Sequence, residues 1–501
     1  MTKQPHPGAR LLSALLAAIL STGLSGCSLA PAYLRPAAPV AAAYPDAGTG
    51  PEAGGPLRGG ADTAWRDFFT EPRLRQLIAA ALEHNRDLRT AALRIEEARA
   101  QYHIAAADRL PGLNASLGAA RARTPALPGQ GGRAGVGERF DAGLALPSFE
   151  LDYLGRVRNL GQAALALYLA SDEARQAAHI GVVAETAKAY FTERALAEQY
   201  ALAMQTLEGR ARTFELTRQR VEAGASSRLD LRQNETLYQG ARVAALALAR
   251  QRAQAANALT LLVGQAPTAA PSGAAPNDAA LDAMSALPAG LPSELLARRP
   301  DIRGAELHLQ AANANIGAAR AAFFPRLSLT AALGSASGAF SGLFDSDSGS
   351  WSFAPQLLLP LFDGGRNRAN LDLGEARKNL AVADYERTIQ IAFREVADAL
   401  AARTYLGEQV AAQRAVREAQ AERLALLQLR FENGVASTLD VLDAQRELFS
   451  AEQSLVQARL LRSASAVDLY RALGGGFQYP WTRGQTTISE QYCSEIVVCP
   501  H

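Results

Sequence analysis

Arg430-Phe431-Glu432-Asn433-Gly434-Val435-Ala436-Ser437-Thr438-Leu439-Asp440-Val441-Leu442-Asp443 decides the fold of this 501-residue chain, because it occurs twice. Arg220-Val221-Glu222-Ala223-Gly224-Ala225-Ser226-Ser227-Arg228-Leu229-Asp230-Leu231 matches its first twelve residues at six positions, at an offset of 210. Each copy lies between two long runs rich in Ala, Leu, Glu and Arg. Glycine at the end of such a run accepts the left-handed backbone of a C-terminal cap, so Gly224 and Gly434 are expected to end helices. Ser227-x-x-Asp230 and Ser437-x-x-Asp440 have the spacing of capping boxes that start the next helix. Each copy therefore predicts the tip of a long helical hairpin, and each tip carries carboxylates.

Outward from the two tips, the same order of segments is written twice. Arg156 to Ala223 and Arg366 to Asn433 are each 68 residues without proline; Ser226 to Val263 and Ser437 to Leu473 follow them as second helices. Such a run would make a helix about 100 Å long at roughly 1.5 Å per residue, which needs neighbours along its length. Upstream, Trp65 to Leu110 has apolar residues at helical spacing and stops at Pro111-Gly112. Pro300-Asp301-Ile302-Arg303 answers Arg86-Asp87-Leu88-Arg89, and Phe324-Pro325-x-Leu327 answers Leu110-Pro111-x-Leu113, both at an offset of 214. The unit is helix, two strands, very long helix, helix. It predicts repeats at 64–264 and 293–476, joined by a Pro/Ala/Gly linker at 265–292 and followed by a tail at 477–501.

The strands set a second constraint. Apolar residues alternate with polar or small ones near 113–119, 139–149, 327–333 and 351–362. Runs of about ten residues with this alternation have the signature of tilted outer-membrane strands. Four such strands leave open edges, which hydrocarbon does not tolerate, so closure requires several chains. Two chains would give a barrel filled by its own side chains; three would give twelve strands and an open lumen. A helical bundle with a small sheet, water-soluble and closed, is the competing architecture.

Composition and the amino end agree with an exported protein. Charged residues are 20% of the chain and the net charge is +2, which gives no electrostatic case for nucleic acid. Lys3 and Arg10 precede the apolar run Leu11 to Leu20, too short to span a bilayer, and Leu24-Ser25-Gly26-Cys27 follows. Small residues before a cysteine resemble a bacterial lipobox. Residues 1–26 then form a signal peptide, and Cys27, carrying a diacylglycerol and an acyl chain, opens an extended Pro/Ala/Gly-rich leader at 27–63. Cys493 and Cys499 lie in the tail.

Leu291-Pro292-Ser293-Glu294-Leu295-Leu296-Ala297-Arg298-Arg299-Pro300-Asp301-Ile302 resembles a signature of the TolC-like outer-membrane efflux proteins, in their lipoprotein (NodT-type) branch. Leu442-Asp443-Ala444-Gln445-Arg446 and Ala472-Leu473-Gly474-Gly475-Gly476 are similar to the same branch. The resemblance implies a mainly α protein with a β-barrel part: a homotrimer whose twelve-stranded outer-membrane barrel continues into a periplasmic α-helical barrel. It implies a passive exit duct for drugs or other small solutes, not an enzyme. Its partners would be outer-membrane lipid, a periplasmic adaptor (membrane fusion) protein and an inner-membrane, proton-driven pump of the RND type. The exit duct of a protein-secretion system and a non-conducting envelope scaffold lipoprotein are the alternatives.

Asp440 and Asp443 are three residues apart and share a helix face, and Asp230 holds the place of Asp440 in the first repeat. Around a threefold axis they would form a crowded carboxylate mouth, which filters cations and resists tight closure unless cations pair with it. Leu439 and Leu442 are candidates for an apolar constriction beside it. The plainer role of Asp230 and Asp440 is helix capping. The resemblance places the three aspartates at the family's periplasmic aperture, and the tips (Gly224, Ser227, Gly434, Ser437) where an adaptor would dock. Phe431 and Ala436 stand where the best-known members carry a tyrosine and an arginine, which leaves Arg220, Arg228 or Arg430 as the expected cationic partners. Other chemistry is poorly supported. The six histidines are scattered without metal-ligand spacing, and the glycines at 129–137 do not open a helix after a strand. No metal and no cofactor beyond the lipid is expected.

Overall fold

The computed structural model describes residues 28–44, 63–124, 135–266 and 296–476. Cys27, most of the 265–292 linker and the cysteine-bearing tail lie outside these. A short turn of helix, α1 (Trp65–Phe68), is followed by α2 (Pro72–His84) and α3 (Arg86–Ala107), then strands β1 (Asn114–Thr124) and β2 (Gly135–Glu150). Next come α4 (Arg156–Glu222) and α5 (Arg228–Val263). The second repeat runs α6 (Pro300–Ala321), β3 (Arg326–Ser337), β4 (Gly349–Leu358), α7 (Arg366–Glu432) and α8 (Thr438–Ala472). Both α4 and α7 are unbroken over 67 residues, as the proline-free runs predict.

Several boundaries differ from the sequence pattern. The helix expected from Trp65 to Leu110 breaks at Phe69 and again at Asn85. Asn85 takes an extended backbone and its Oδ1 caps the next helix by accepting the Leu88 N–H at 3.0 Å, while its Nδ2 donates to the Leu262 carbonyl at 2.8 Å. β1 and β2 run further into the Gly-rich loop than the alternation suggests. β4 ends at Leu358 rather than at 362, because Pro360 has no N–H for a ladder and Asp363 turns the chain into α7, accepting from Gly365 and Asn367 at 2.9 Å each. In the first repeat the matching Pro147 stays inside its strand, where the β2–β3 register shifts between Leu146 and Phe149 to make a bulge.

Two compact units cut across the repeats, each drawing on both. The first holds residues up to Ala37, Leu93–Asp172 and Gly304–Glu386. Its four strands form one antiparallel sheet in the order β1-β2-β3-β4. Its helical part packs small residues closely: Ala163 and Ala166 lie against Ala311 and Ala314, all buried. The leader is tied down by Ser28 to Asn159 (2.9 Å), by Asn313 to the Pro31 carbonyl (2.7 Å), and by Tyr33 and Arg35 to Glu306. Burial and the Glu306 carboxylate push the Tyr33 phenol well above its ordinary range.

The second unit holds Ala38–Ala92, Glu173–Arg303 and Arg387 onward. Its core stacks Phe68 on Tyr470 (centroids 4.4 Å apart), with Phe69 edge-on to Phe68 at 4.7 Å. Arg299, from the Arg-Pro-Asp motif, is buried there. It donates to Asp301 through two nitrogens (3.0 and 2.6 Å), to Glu395 (2.8 Å) and to the Ala472 carbonyl at the end of α8 (3.0 Å). Burial alone would lower the pKa of this guanidinium, but its bonds to Asp301 and Glu395 hold it above the ordinary arginine value.

Candidate functional site

Two surfaces are candidates for the functional site: the faces of the sheet and the tips of the two hairpins.

The ladder register sorts the strands into two unlike faces, since alternate residues point to opposite sides. One face carries Ala115 and Leu117 of β1, Phe140 and Leu144 of β2, Leu329, Ala331 and Leu333 of β3, and Trp351, Phe353 and Leu357 of β4. Leu117, Leu333, Trp351 and Phe353 are 74, 67, 78 and 61% exposed, so no described residue covers this apolar surface. Solvent exposure on that scale is a liability in water and is what a bilayer covers. Trp351 and Phe353 thus lie on the lipid-facing side, as suits interfacial aromatic residues. The opposite face carries Asn114, Ser116, Asp141, Ser328, Thr330, Ser352 and Gln356, with Leu358 as its one large apolar residue. Gly143 and Gly334 oppose each other on that face, and a Cβ on Gly334 would stand 2.2 Å from the Ala142 carbonyl oxygen. β1 and β4 end the sheet, each with one edge unpaired among the described residues. No described helix is long and apolar enough to cross a membrane.

The tips have the predicted local structure. Gly224 (φ +76°) and Gly434 (φ +72°) take the left-handed conformation, and the Ala225 and Val435 N–H groups close back on the Arg220 and Arg430 carbonyls at 2.7 and 2.8 Å. Both capping boxes are complete. Asp230 accepts from the Ser227 N–H and Oγ at 3.2 and 2.7 Å; Asp440 accepts from those of Ser437 at 2.9 and 2.7 Å. The serine hydroxyl bonds, then the backbone N–H, hold both carboxyls below the usual carboxylate range, so both are charged at neutral pH. Leu439 is 71% exposed, Phe431 is exposed and Leu442 is half-buried.

Of the cationic partners expected from sequence, Arg430 acts on Asp440 through space, while the ion pairs of Asp443 use two other arginines. Asp230 is held by Ser226 and Ser227 rather than by Arg228. Asp443 pairs with Arg446 at 2.7 Å, one turn along α8, and with Arg423 of α7 at 3.4 Å. Arg423 and Arg430 also pull the Asp440 pKa down through space. Arg446 was legible as an i+3 neighbour; Arg423 was not, because it meets Asp443 only when the hairpin folds back. A third residue left no signal at all. Arg210, in the last quarter of α4, is 6% exposed and donates to the Leu442 carbonyl at 3.3 Å, linking the first hairpin to the aspartate-bearing helix of the second. Among the described residues, the carboxylates of the two tips share no bonded partner. The lipidation site, Cys27, lies outside the described residues.

An edge-open sheet with one lipid-facing side, fed by 67-residue helices that end in charged tips, defines one protomer of an outer-membrane channel. The comparisons with known proteins place it more closely. The chain belongs to the outer membrane efflux protein family, whose model matches residues 77–265 and 291–475. It is 48% identical to the outer membrane protein OprJ of Pseudomonas aeruginosa over 95% of this chain and 97% of that protein. It is 45% identical to the toluene efflux pump outer membrane protein TtgC of Pseudomonas putida, over 93% of this chain and 96% of TtgC. Among solved structures it resembles the open state of the MtrE outer membrane channel of Neisseria gonorrhoeae, with a TM-score of 0.80 and 41% identity over 90% of this chain and 98% of that one. The protein is an outer-membrane efflux channel, an exit duct whose sheet lies in the outer membrane and whose helices lie in the periplasm.

Proposed function

We propose that three copies close edge to edge, β4 of one against β1 of the next, into a twelve-stranded barrel that passes drugs or other small solutes delivered by a periplasmic adaptor and a proton-driven inner-membrane pump. The observation that carries this is the sheet itself: four strands with a broad exposed apolar face cannot satisfy their edges in hydrocarbon alone. Three copies supply a lumen lined by the Ser/Thr/Asn/Gln face. The hairpin tips then meet at the threefold axis. Asp230, Asp440 and Asp443 ring the mouth, Leu439 and Leu442 narrow it, and Arg423 and Arg446 partly neutralise it. The exposed tip residues around Gly224, Ser227, Gly434 and Ser437 present the surface an adaptor would engage. The acylated Cys27 would fasten the leader to the membrane.

Single-channel recording in planar bilayers tests both parts. The wild-type protein should conduct poorly, and Asp440→Ala with Asp443→Ala should raise conductance. Unchanged conductance would remove these residues from the gate. Increased drug susceptibility of a deletion strain, restored by the wild-type gene, tests the efflux role; loss of a secreted protein instead would point to a secretion duct.

A further inference from the structure

On the apolar face of the sheet, residue type changes abruptly at one rung of the β1–β2 ladder. Up to Ala119↔Phe140 the face is apolar; the next rung on the same side is Arg121↔Glu138, and the one after it is Arg123↔Val136. Successive rungs on one face are roughly 7 Å apart along the strand. These rungs lie at the hairpin end of β1 and β2, away from α3 and α4, which enter and leave the sheet at its other end. With the helices in the periplasm, the arginines stand where the outer leaflet ends.

Arg121 Nε is 3.2 Å from Glu138, but the arginine side chain is 73% exposed, so the pair is weak and leaves most guanidinium donors to other acceptors. Arg123 is exposed, and among the described residues no acid pairs with it. The third arginine of this end among the described residues, Arg139, belongs to the lumen face, beside Asp141 at 3.7 Å. Among the described residues of the two strands, the lipid side therefore carries two arginines against one glutamate, directly above an apolar surface, whereas the lumen side pairs Arg139 with Asp141.

We propose that Arg121 and Arg123 form a binding site for the phosphorylated headgroup of an outer-leaflet glycolipid, whose acyl chains lie on Leu117, Ala119, Phe140 and Leu144. The inference rests on the barrel reading above. Guanidinium forks hold phosphate oxygens two at a time, and two of them one rung apart span a phosphorylated disaccharide. Continuity with the apolar face selects a lipid over free phosphate, because only a lipid occupies both surfaces at once.

The experiment uses the purified full-length channel in detergent with EDTA, titrated with bisphosphorylated lipid A and read by native mass spectrometry. Arg121→Gln with Arg123→Gln should weaken lipid A binding roughly 30-fold, from the attraction two basic residues contribute near an anionic surface. Glu138→Gln should tighten it, and Arg139→Gln, on the other face, should leave it unchanged. Retention of lipid A within about threefold by the double variant overturns the site, as does an equal loss in Arg139→Gln or weaker binding in Glu138→Gln. Bilayer conductance of the same samples separates the two readings. Channels that conduct while lipid binding ignores Arg121 and Arg123 remove only the lipid site; a wild-type protein that never inserts removes the barrel as well.

Discussion

Arg299→Ala removes a side chain that is only 9% exposed and whose guanidinium satisfies four acceptor atoms: both carboxylate oxygens of Asp301, one of Glu395 and the Ala472 carbonyl. Deleting one member of a buried ion network costs about 3–5 kcal/mol, because the remaining charges keep their desolvation penalty without a partner. Here the acid side chains retain 37% and 26% exposure, so water takes over part of the lost interaction. The lower end, about 3 kcal/mol, is the expected loss. Arg299→Lys keeps a charge but cannot fork onto Asp301 while reaching Glu395 and Ala472, so it should lose about 1–2 kcal/mol. Guanidinium unfolding of the detergent-solubilised protein, followed by helical circular dichroism, measures both. A double-mutant cycle with Asp301→Ala isolates the pair. A loss under 1 kcal/mol for Arg299→Ala, or an additive cycle, would refute the argument that this arginine joins the end of α8 to the start of α6.

Other perturbations have equally definite outcomes. Gly434→Ala places a Cβ at φ +72° and should cost about 1–2 kcal/mol at the second tip, seen as faster proteolysis between Glu432 and Thr438 with the distal helices unchanged. Gly334→Val would drive a side chain into the Ala142 carbonyl, so the variant should fail to form heat-resistant trimers while its isolated helical content persists. Asp230 and Asp440 have depressed pKa values, so their capping contribution is complete above the ordinary carboxylate range and is lost as pH falls through the lowered values. Amide exchange at the tips should therefore accelerate only in strong acid, and Ser437→Ala, which returns Asp440 toward an ordinary pKa, should move that onset upward. Asn85→Ala removes the cap on Leu88 and the bond to Leu262, and should lower stability by about 1–2 kcal/mol.

How much could be read in advance follows from how far each interaction reaches. Gly224, Gly434 and the two capping boxes were legible because a cap depends on residues within four positions. Pro147 and Pro360 have like neighbours, Leu146-Pro147-x-Phe149 and Leu359-Pro360-x-Phe362, yet the first lies at a bulge within a strand and the second just past a strand end. The difference lies in the partner strand: β3 continues past Pro147, whereas at Pro360 the chain is already turning into α7. Arg121 and Arg123 lie beyond the alternation near 113–119, and pairing with Glu138 and Val136 draws them into the ladder.

The sequence by itself determined the duplication, the helix lengths, the positions of the hairpin tips and the two-faced character of the strands, since all of these arise from periodicity and nearest-neighbour backbone chemistry. Only the tertiary structure decided which strands pair and in what register, that Arg423 rather than Arg228 reaches an aspartate of the tips, and that Arg299 finds the Ala472 carbonyl 173 residues away. Those contacts join segments far apart in the chain, and no local preference of either partner encodes the other.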